Sequence, residues 1–220
     1  MAQSSGVAKL AFGFLPPVTE KLTRGNYGMW HAQVSHTLKG ARLATHIRAR
    51  AMPPAAFVEP DPPIDTDGKK KAHVPNLEYE EWIVKDSHVL NYLFSSLSKE
   101  IFSQVSSAAS AAALWAAIQE LHASQCRARV IATRMTLATA SKGTSTVAEY
   151  FTKIKNLADE MASAGRKLED EEIVSYVLTG LGEDFDSVVS AVTARVEPIS
   201  VHELYAQLMG HEQRKEARDG

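Results

Sequence analysis

The stretch from Thr146 to Gly165 constrains the fold most, because apolar residues recur there at steps of three and four. Such spacing puts them on one stripe of an α-helix. The stripe consists of Val147, Tyr150, Phe151, Ile154, Leu157, Ala158 and Met161. Thr146 and Glu149 have the spacing of a capping box, and Gly165 can adopt the left-handed conformation that ends a helix. Both ends of this helix are therefore predicted from local sequence.

The same periodicity recurs along most of the chain, whereas alternating runs of β-branched residues are almost absent. Ser200 with Glu203 repeats the capping-box spacing, and the acidic run 169–172 is typical of a helix start. Further helices are predicted near residues 26–39, 79–95, 98–105, 109–122, 127–138, 169–180, 185–192 and 200–210. The sequence thus predicts an all-α protein.

Two segments interrupt the helical pattern and suggest a division into two lobes. Residues 52–75 hold six of the nine prolines and the run Lys69–Lys71. This composition disfavours both helix formation and burial in a core, so we expect a disordered, exposed insertion. Residues 140–145 are rich in small polar residues. The predicted organisation is a flexible segment 1–18, an N-terminal helical lobe 19–139, a four-helix C-terminal lobe 146–214 and a tail 215–220.

The composition limits the classes of function. With 24 Lys and Arg against 26 Asp and Glu, the net charge is −2, which gives no general attraction to nucleic acid or anionic membranes. The one cysteine, Cys126, excludes a disulfide framework and a zinc site of several cysteines. No apolar run approaches the roughly 18 residues of a membrane span. These features predict a cytoplasmic protein without membrane partners, and they leave nuclear access open.

The motifs of common catalytic centres are absent from the sequence. It contains no G-x-S-x-G elbow, P-loop, dinucleotide fingerprint or Asp-Thr-Gly protease loop, and none of its eight histidines forms H-E-x-x-H. His122 and Cys126, four residues apart, would give a metal only two ligands. We therefore predict no enzymatic activity, no cofactor, no metal and no small-molecule substrate.

Asp86 is the most unusual acidic residue, because it falls along a predicted buried stripe. The stripe comprises Tyr79, Trp82, Ile83, Leu90, Leu93 and Leu97. A buried carboxylate needs hydrogen bonds or a cationic partner. We favour a core acid held by a tryptophan N–H or an arginine, and a ligand-binding acid is the alternative.

Two groups of basic residues could contact RNA phosphates. They are Arg127, Arg129 and Arg134 in one predicted helix, and Arg214, Lys215 and Arg218 near the C-terminus. Neither group has interleaved aromatic residues, and acidic residues surround the second. Solvated helix faces are therefore the favoured interpretation of both groups.

Several motifs recur in a characteristic order: KLTRGNYGMWHAQVSHTLKGARL, VAEYFTKIKNLADEMASAG, VLTGL and ELYAQLMGHEQR. In this order and spacing the chain resembles the Gag protein of plant copia-type LTR retrotransposons, including its gag-polypeptide region. The resemblance covers most of the chain. The positions that carry it are Asn26, Tyr27, Trp30, Trp82, Asp86, Trp115, Tyr150, Gly165, Gly180 and Leu181.

The resemblance implies a capsid-like pair of helical lobes that self-associates with other Gag copies into virus-like particles enclosing the RNA of the transposable element. Such a Gag normally carries a downstream zinc knuckle that grips RNA bases. The single cysteine excludes a knuckle within this chain, so any RNA binding is expected to be weak. Two alternatives stay open: a domesticated or truncated Gag-derived adaptor that binds a protein partner, and a weak RNA-binding protein that uses the arginine groups.

Overall fold

The computed structural model describes residues 15–59 and 73–219, and helices dominate these residues. Helix accounts for 68% of the structure, so the prediction of an all-α fold is confirmed. Short 3₁₀ helices cover Ala44–Ile47 and Glu183–Phe185, and two-residue strands β1 (Phe57–Val58) and β2 (Val74–Pro75) pair antiparallel. The α-helices in the described ranges are α1 (Tyr27–Gly40), α2 (Leu77–Ser95), α3 (Lys99–Val105), α4 (Ala111–Thr139), α5 (Val147–Ser163), α6 (Asp170–Thr179), α7 (Asp186–Thr193) and α8 (Val201–Asp219).

The chain forms two compact units, Met1–His122 and Ala123–Gly220, so the division falls within α4 and not at residues 140–145, where the sequence predicted it. The interruption predicted between residues 122 and 127 is also absent, because the intervening Ala-Ser-Gln-Cys contains no glycine or proline to stop a helix. The later part of α4 contributes Val130 and Leu137 to the core of the second unit, which is why it groups with that unit.

In the first unit, α1 buries Trp30, Val34 and Leu38, which lie four residues apart along one face. They pack with residues of α2, α3 and the first part of α4 into one cluster. The segment before α1 also contributes, because Leu15 and Val18 are partly buried against this cluster. The prediction of a flexible segment 1–18 is therefore wrong for residues 15–18, and residues 1–14 lie outside the described part of the chain.

In the second unit, α5 has the predicted capping box between Thr146 and Glu149, and Gly165 ends it with the left-handed φ of +88°. Its buried residues are Val147, Tyr150, Ile154, Ala158 and Met161. At the start of α8, the Glu203 N–H donates to Ser200 Oγ at 3.2 Å, as predicted, but the Glu203 carboxylate accepts a hydrogen bond from Arg195 at 2.7 Å. This carboxylate therefore binds a side chain from outside its own helix.

Three other predictions need correction. The prediction of disorder over 52–75 fails at both ends, because β1 pairs with β2 and Asn76 Nδ2 donates to the Ala55 carbonyl at 2.7 Å; residues 60–72 lie outside the described ranges. Ile83 is exposed, because the buried face of α2 is formed by Asp86, Val89, Tyr92 and Leu93. The predicted tail 215–220 is part of α8 as far as residue 219.

None of the helices in the described part of the chain is both long enough and apolar enough to cross a membrane.

Candidate functional site

The first family motif fixes the segment that precedes α1. Asn26 Oδ1 accepts the Thr23 N–H at 2.8 Å, and its Nδ2 donates to the Lys21 carbonyl at 2.9 Å, which holds residues 21–23 in one conformation. Leu22 between them is buried, and its backbone pairs with the turn after α2, donating to the Ser96 carbonyl at 2.8 Å. Asn26 is therefore a structural residue that fixes the backbone just before α1.

The aromatic residues of the motif lie at the centre of the first unit. Trp30 is fully buried, its Nε1 donates to Ser96 Oγ at 3.1 Å, and its ring stacks on Trp115 with the ring centroids 5.5 Å apart. The Tyr27 ring stacks on His122 at 3.8 Å, and burial raises the pKa of its hydroxyl. These aromatic residues build the core, and Ser96 is a partner that no local pattern indicated.

Asp86 is buried beside the start of α4. Its Oδ2 accepts the Ala111 N–H at 3.2 Å, and its Oδ1 lies 3.5 Å from His46 Nδ1. His46 is also buried and lies against the Trp82 ring at a centroid distance of 5.0 Å. The predicted tryptophan or arginine partner is thus replaced by a helix N-terminus, where carboxylates are favoured, and by a histidine. This arrangement is that of a core acid that holds α2 against α4.

The pKa of His46 is lowered from its ordinary value of 6.5, chiefly because burial disfavours the imidazolium, while Asp86 opposes this shift. Because the unfolded chain binds this proton more readily, the free energy of unfolding falls as the pH drops below about 6.5. We expect an NMR titration of His46 to give a midpoint below 6.5, and we expect His46→Asn to reduce the slope of stability against pH between about 7 and 5. A midpoint above 6.5 would mean that the Asp86 carboxylate dominates.

In the second unit, Tyr150 and Gly180 form a close contact. The Tyr150 hydroxyl lies 3.2 Å from the Tyr176 carbonyl and 3.1 Å from the Val177 carbonyl, and burial raises its pKa to about 12. A Cβ on Gly180 would overlap this hydroxyl and the Ala140 carbonyl oxygen. Gly180 is therefore needed for close approach, and Leu181 beside it is partly buried against the same core.

Side chains of α8 form polar contacts with the start of α5, with the loop before it and with Asp184. Glu212 accepts the Val147 N–H at 3.0 Å and pairs with Lys142 Nζ at 3.3 Å, so it caps α5 and binds the loop before it. Lys215 Nζ lies 2.5 Å from Asp184 Oδ2, and His211 Nε2 is 2.8 Å from the Asp184 carbonyl oxygen. Lys215 thus has a structural partner. No sequence pattern indicated these contacts, and residues 215–220 were predicted as a tail.

The other predicted RNA-contacting residues, Arg127, Arg129, Arg134, Arg214 and Arg218, are exposed on α4 and α8. An ideal helix turns 100° per residue, so Arg127 and Arg134, seven residues apart, share one face of α4 while Arg129 lies on the opposite side. The three arginines of α4 therefore do not form the single patch that the sequence suggested. Across residues 15–59 and 73–219 no group of three or more His, Cys, Asp or Glu side chains could hold a metal ion.

The family model for the gag-polypeptide of LTR copia-type matches residues 28–220. The chain belongs to the copia-type gag-polypeptide family. The predicted resemblance is thereby confirmed, although Asn26 and Tyr27 lie just before the matched residues. Membership gives the chain a Gag-like structural role in retrotransposons, because the gag-polypeptide is a structural, non-catalytic region.

Two curated relatives are Pol polyproteins of Arabidopsis thaliana. The retrovirus-related Pol polyprotein from transposon RE1 is 28% identical over 193 residues, and the one from transposon RE2 is 26% identical over the same length. Each match covers 87% of this chain but only 12% and 11% of the respective relative, so the gag-polypeptide corresponds to a small part of these polyproteins. No solved structure gives a significant match to the chain.

Proposed function

We propose that the chain is a Gag structural protein whose copies self-associate in the cytoplasm through exposed helical faces, forming particles that enclose retroelement RNA. The observation that carries this proposal is the contrast between buried and exposed apolar residues. Trp30, Trp115 and Tyr150 of the family motifs are buried, while large apolar residues such as Ile131 and Met135 are exposed on a helix. Exposed apolar faces on a well-packed protein are typical of interaction surfaces.

RNA binding is a secondary part of the proposal. Arg129 is exposed on the other side of α4 from Arg127 and Arg134 and can contact phosphates, and a net charge of −2 keeps this attraction local. We expect RNA to be enclosed by an assembled surface on which many copies each contribute a few weak contacts.

The test is particle mass and shape for the purified chain with and without single-stranded RNA of mixed sequence. Light scattering should give masses well above 24.0 kDa without RNA, and negative-stain microscopy should show regular particles. RNA should increase their number, and this increase should fade between about 50 and 200 mM salt. Assembly only in the presence of RNA would contradict self-association through helical faces, as would a monomer under both conditions.

A further inference from the structure

The outer face of α4 in the second unit combines exposed apolar and basic residues. Ile131 and Met135, four residues apart, are 62% and 67% exposed. Arg127 and Arg134 are exposed beside them on the same side of the helix. Leu137, on another side of α4, lies in the core of the second unit. We call these four residues, Arg127, Ile131, Arg134 and Met135, the basic α4 face.

The outer face of α2 in the first unit has the opposite charge. Leu77 and Val84, two turns apart, are 78% and 45% exposed. Glu80 and Glu81 are exposed between them. Glu81 forms an ion pair with Lys85, whose Nζ lies 3.2 Å from the carboxylate. We call Leu77, Glu80, Glu81 and Val84 the acidic α2 face. Each face therefore presents two apolar side chains and two residues of like charge along about two helical turns, with the cation of Lys85 at the edge of the acidic α2 face.

From this complementarity we infer that the basic α4 face of one copy docks on the acidic α2 face of a second copy. The contact pairs arginines with glutamates and covers the apolar residues of both helices. Pairing either face with itself would bring like charges together, which costs free energy and selects against that arrangement. The inference rests on the proposed self-association and specifies which surfaces carry it.

Such a contact can repeat, because each copy carries both faces and uses them toward different neighbours. A contact between two different surfaces generates a ring when the rotation closes and an open array when it does not. An RNA strand on the α4 face would pair with the arginines, but it would give Ile131 and Met135 no apolar partner. A second copy satisfies both the charges and the apolar residues.

Charge exchange tests the inference in the full chain without RNA. Arg127→Glu with Arg134→Glu should raise the concentration needed for half-assembly at least tenfold, and Glu80→Arg with Glu81→Arg should do the same. All four substitutions together should restore assembly toward that of the wild type, because both faces then carry exchanged charges. Arg214→Glu with Arg218→Glu, two exposed arginines on α8, is the matched control and should leave assembly unchanged.

A further double variant covers the case in which a charge-reversed chain fails to fold. Ile131→Ser with Met135→Ser keeps every charge and should also raise the half-assembly concentration at least tenfold, with the circular dichroism unchanged. If the wild type assembles and either face tolerates reversal, or if the fourfold exchange does not restore assembly, the inference is wrong and self-association stands. If the wild type never assembles, the proposed function fails as well.

Discussion

Trp30→Ala should destabilise the first unit by about 4 kcal/mol, the largest effect of any single substitution considered for this unit. The side chain is fully buried, and its loss leaves a cavity beside Trp115 as well as a missing partner for Ser96 Oγ. All three tryptophans lie in the first unit, so fluorescence of Trp82 and Trp115 during urea unfolding reports on this unit alone.

The adjacent Met29 is the matched control for this substitution. It lies on the same helix but is 51% exposed, so Met29→Ala should change the free energy of unfolding by no more than about 0.5 kcal/mol. Trp30→Phe keeps an aromatic ring and should fall between the two. Equal effects of Trp30→Ala and Met29→Ala would show that Trp30 does not organise this core.

Gly180→Ala should destabilise the second unit by about 3 kcal/mol, because the added methyl group meets the Ala140 carbonyl oxygen and the Tyr150 hydroxyl. The φ of −94° at Gly180 is open to any residue, so the expected loss is steric and does not reflect the conformational freedom of glycine. For a unit of this size, the melting temperature measured by circular dichroism should fall by roughly 15 °C.

Gly182→Ala provides the control, because a Cβ there has no heavy atom within 4 Å. It should leave the melting temperature almost unchanged. Tyr150→Phe removes one of the two obstructing oxygens. In the Tyr150→Phe background, Gly180→Ala should therefore lower the free energy of unfolding by less than it does in the wild type. A Gly180→Ala protein as stable as the Gly182→Ala protein would refute the close contact.

The sequence predicted those helices best whose ends are determined locally. Thr146, Glu149 and Gly165 lie within one helix and its cap, so their side-chain chemistry is sufficient to place both ends of α5. The continuity of α4 was missed because Ser124 and Cys126, which are weaker helix formers, suggested an interruption although no glycine or proline stops the helix there. The extension of α8 was missed because its stabilising partners, such as Lys142 and Asp184, are distant in the sequence.

The same limit applies to the residues of the candidate site. The sequence marked Asp86 as a carboxylate that needs a partner, but His46 lies in a short 3₁₀ helix far along the chain, and no spacing rule connects the two. The predicted helix 169–180 ends at Gly180, but the contacts that constrain this glycine come from Tyr150 and Ala140 in other segments. Ile83 was predicted on the buried stripe but is exposed, and Ile131 and Met135 are exposed on α4, because helical spacing alone does not distinguish a core face from an exposed apolar face.

Sedimentation velocity over a concentration series of the purified, nuclease-treated protein tests whether copies of this chain associate without another partner. We expect the weight-average mass to rise with concentration from 24.0 kDa toward large multiples of that value. A single species of 24.0 kDa at every concentration would contradict self-association.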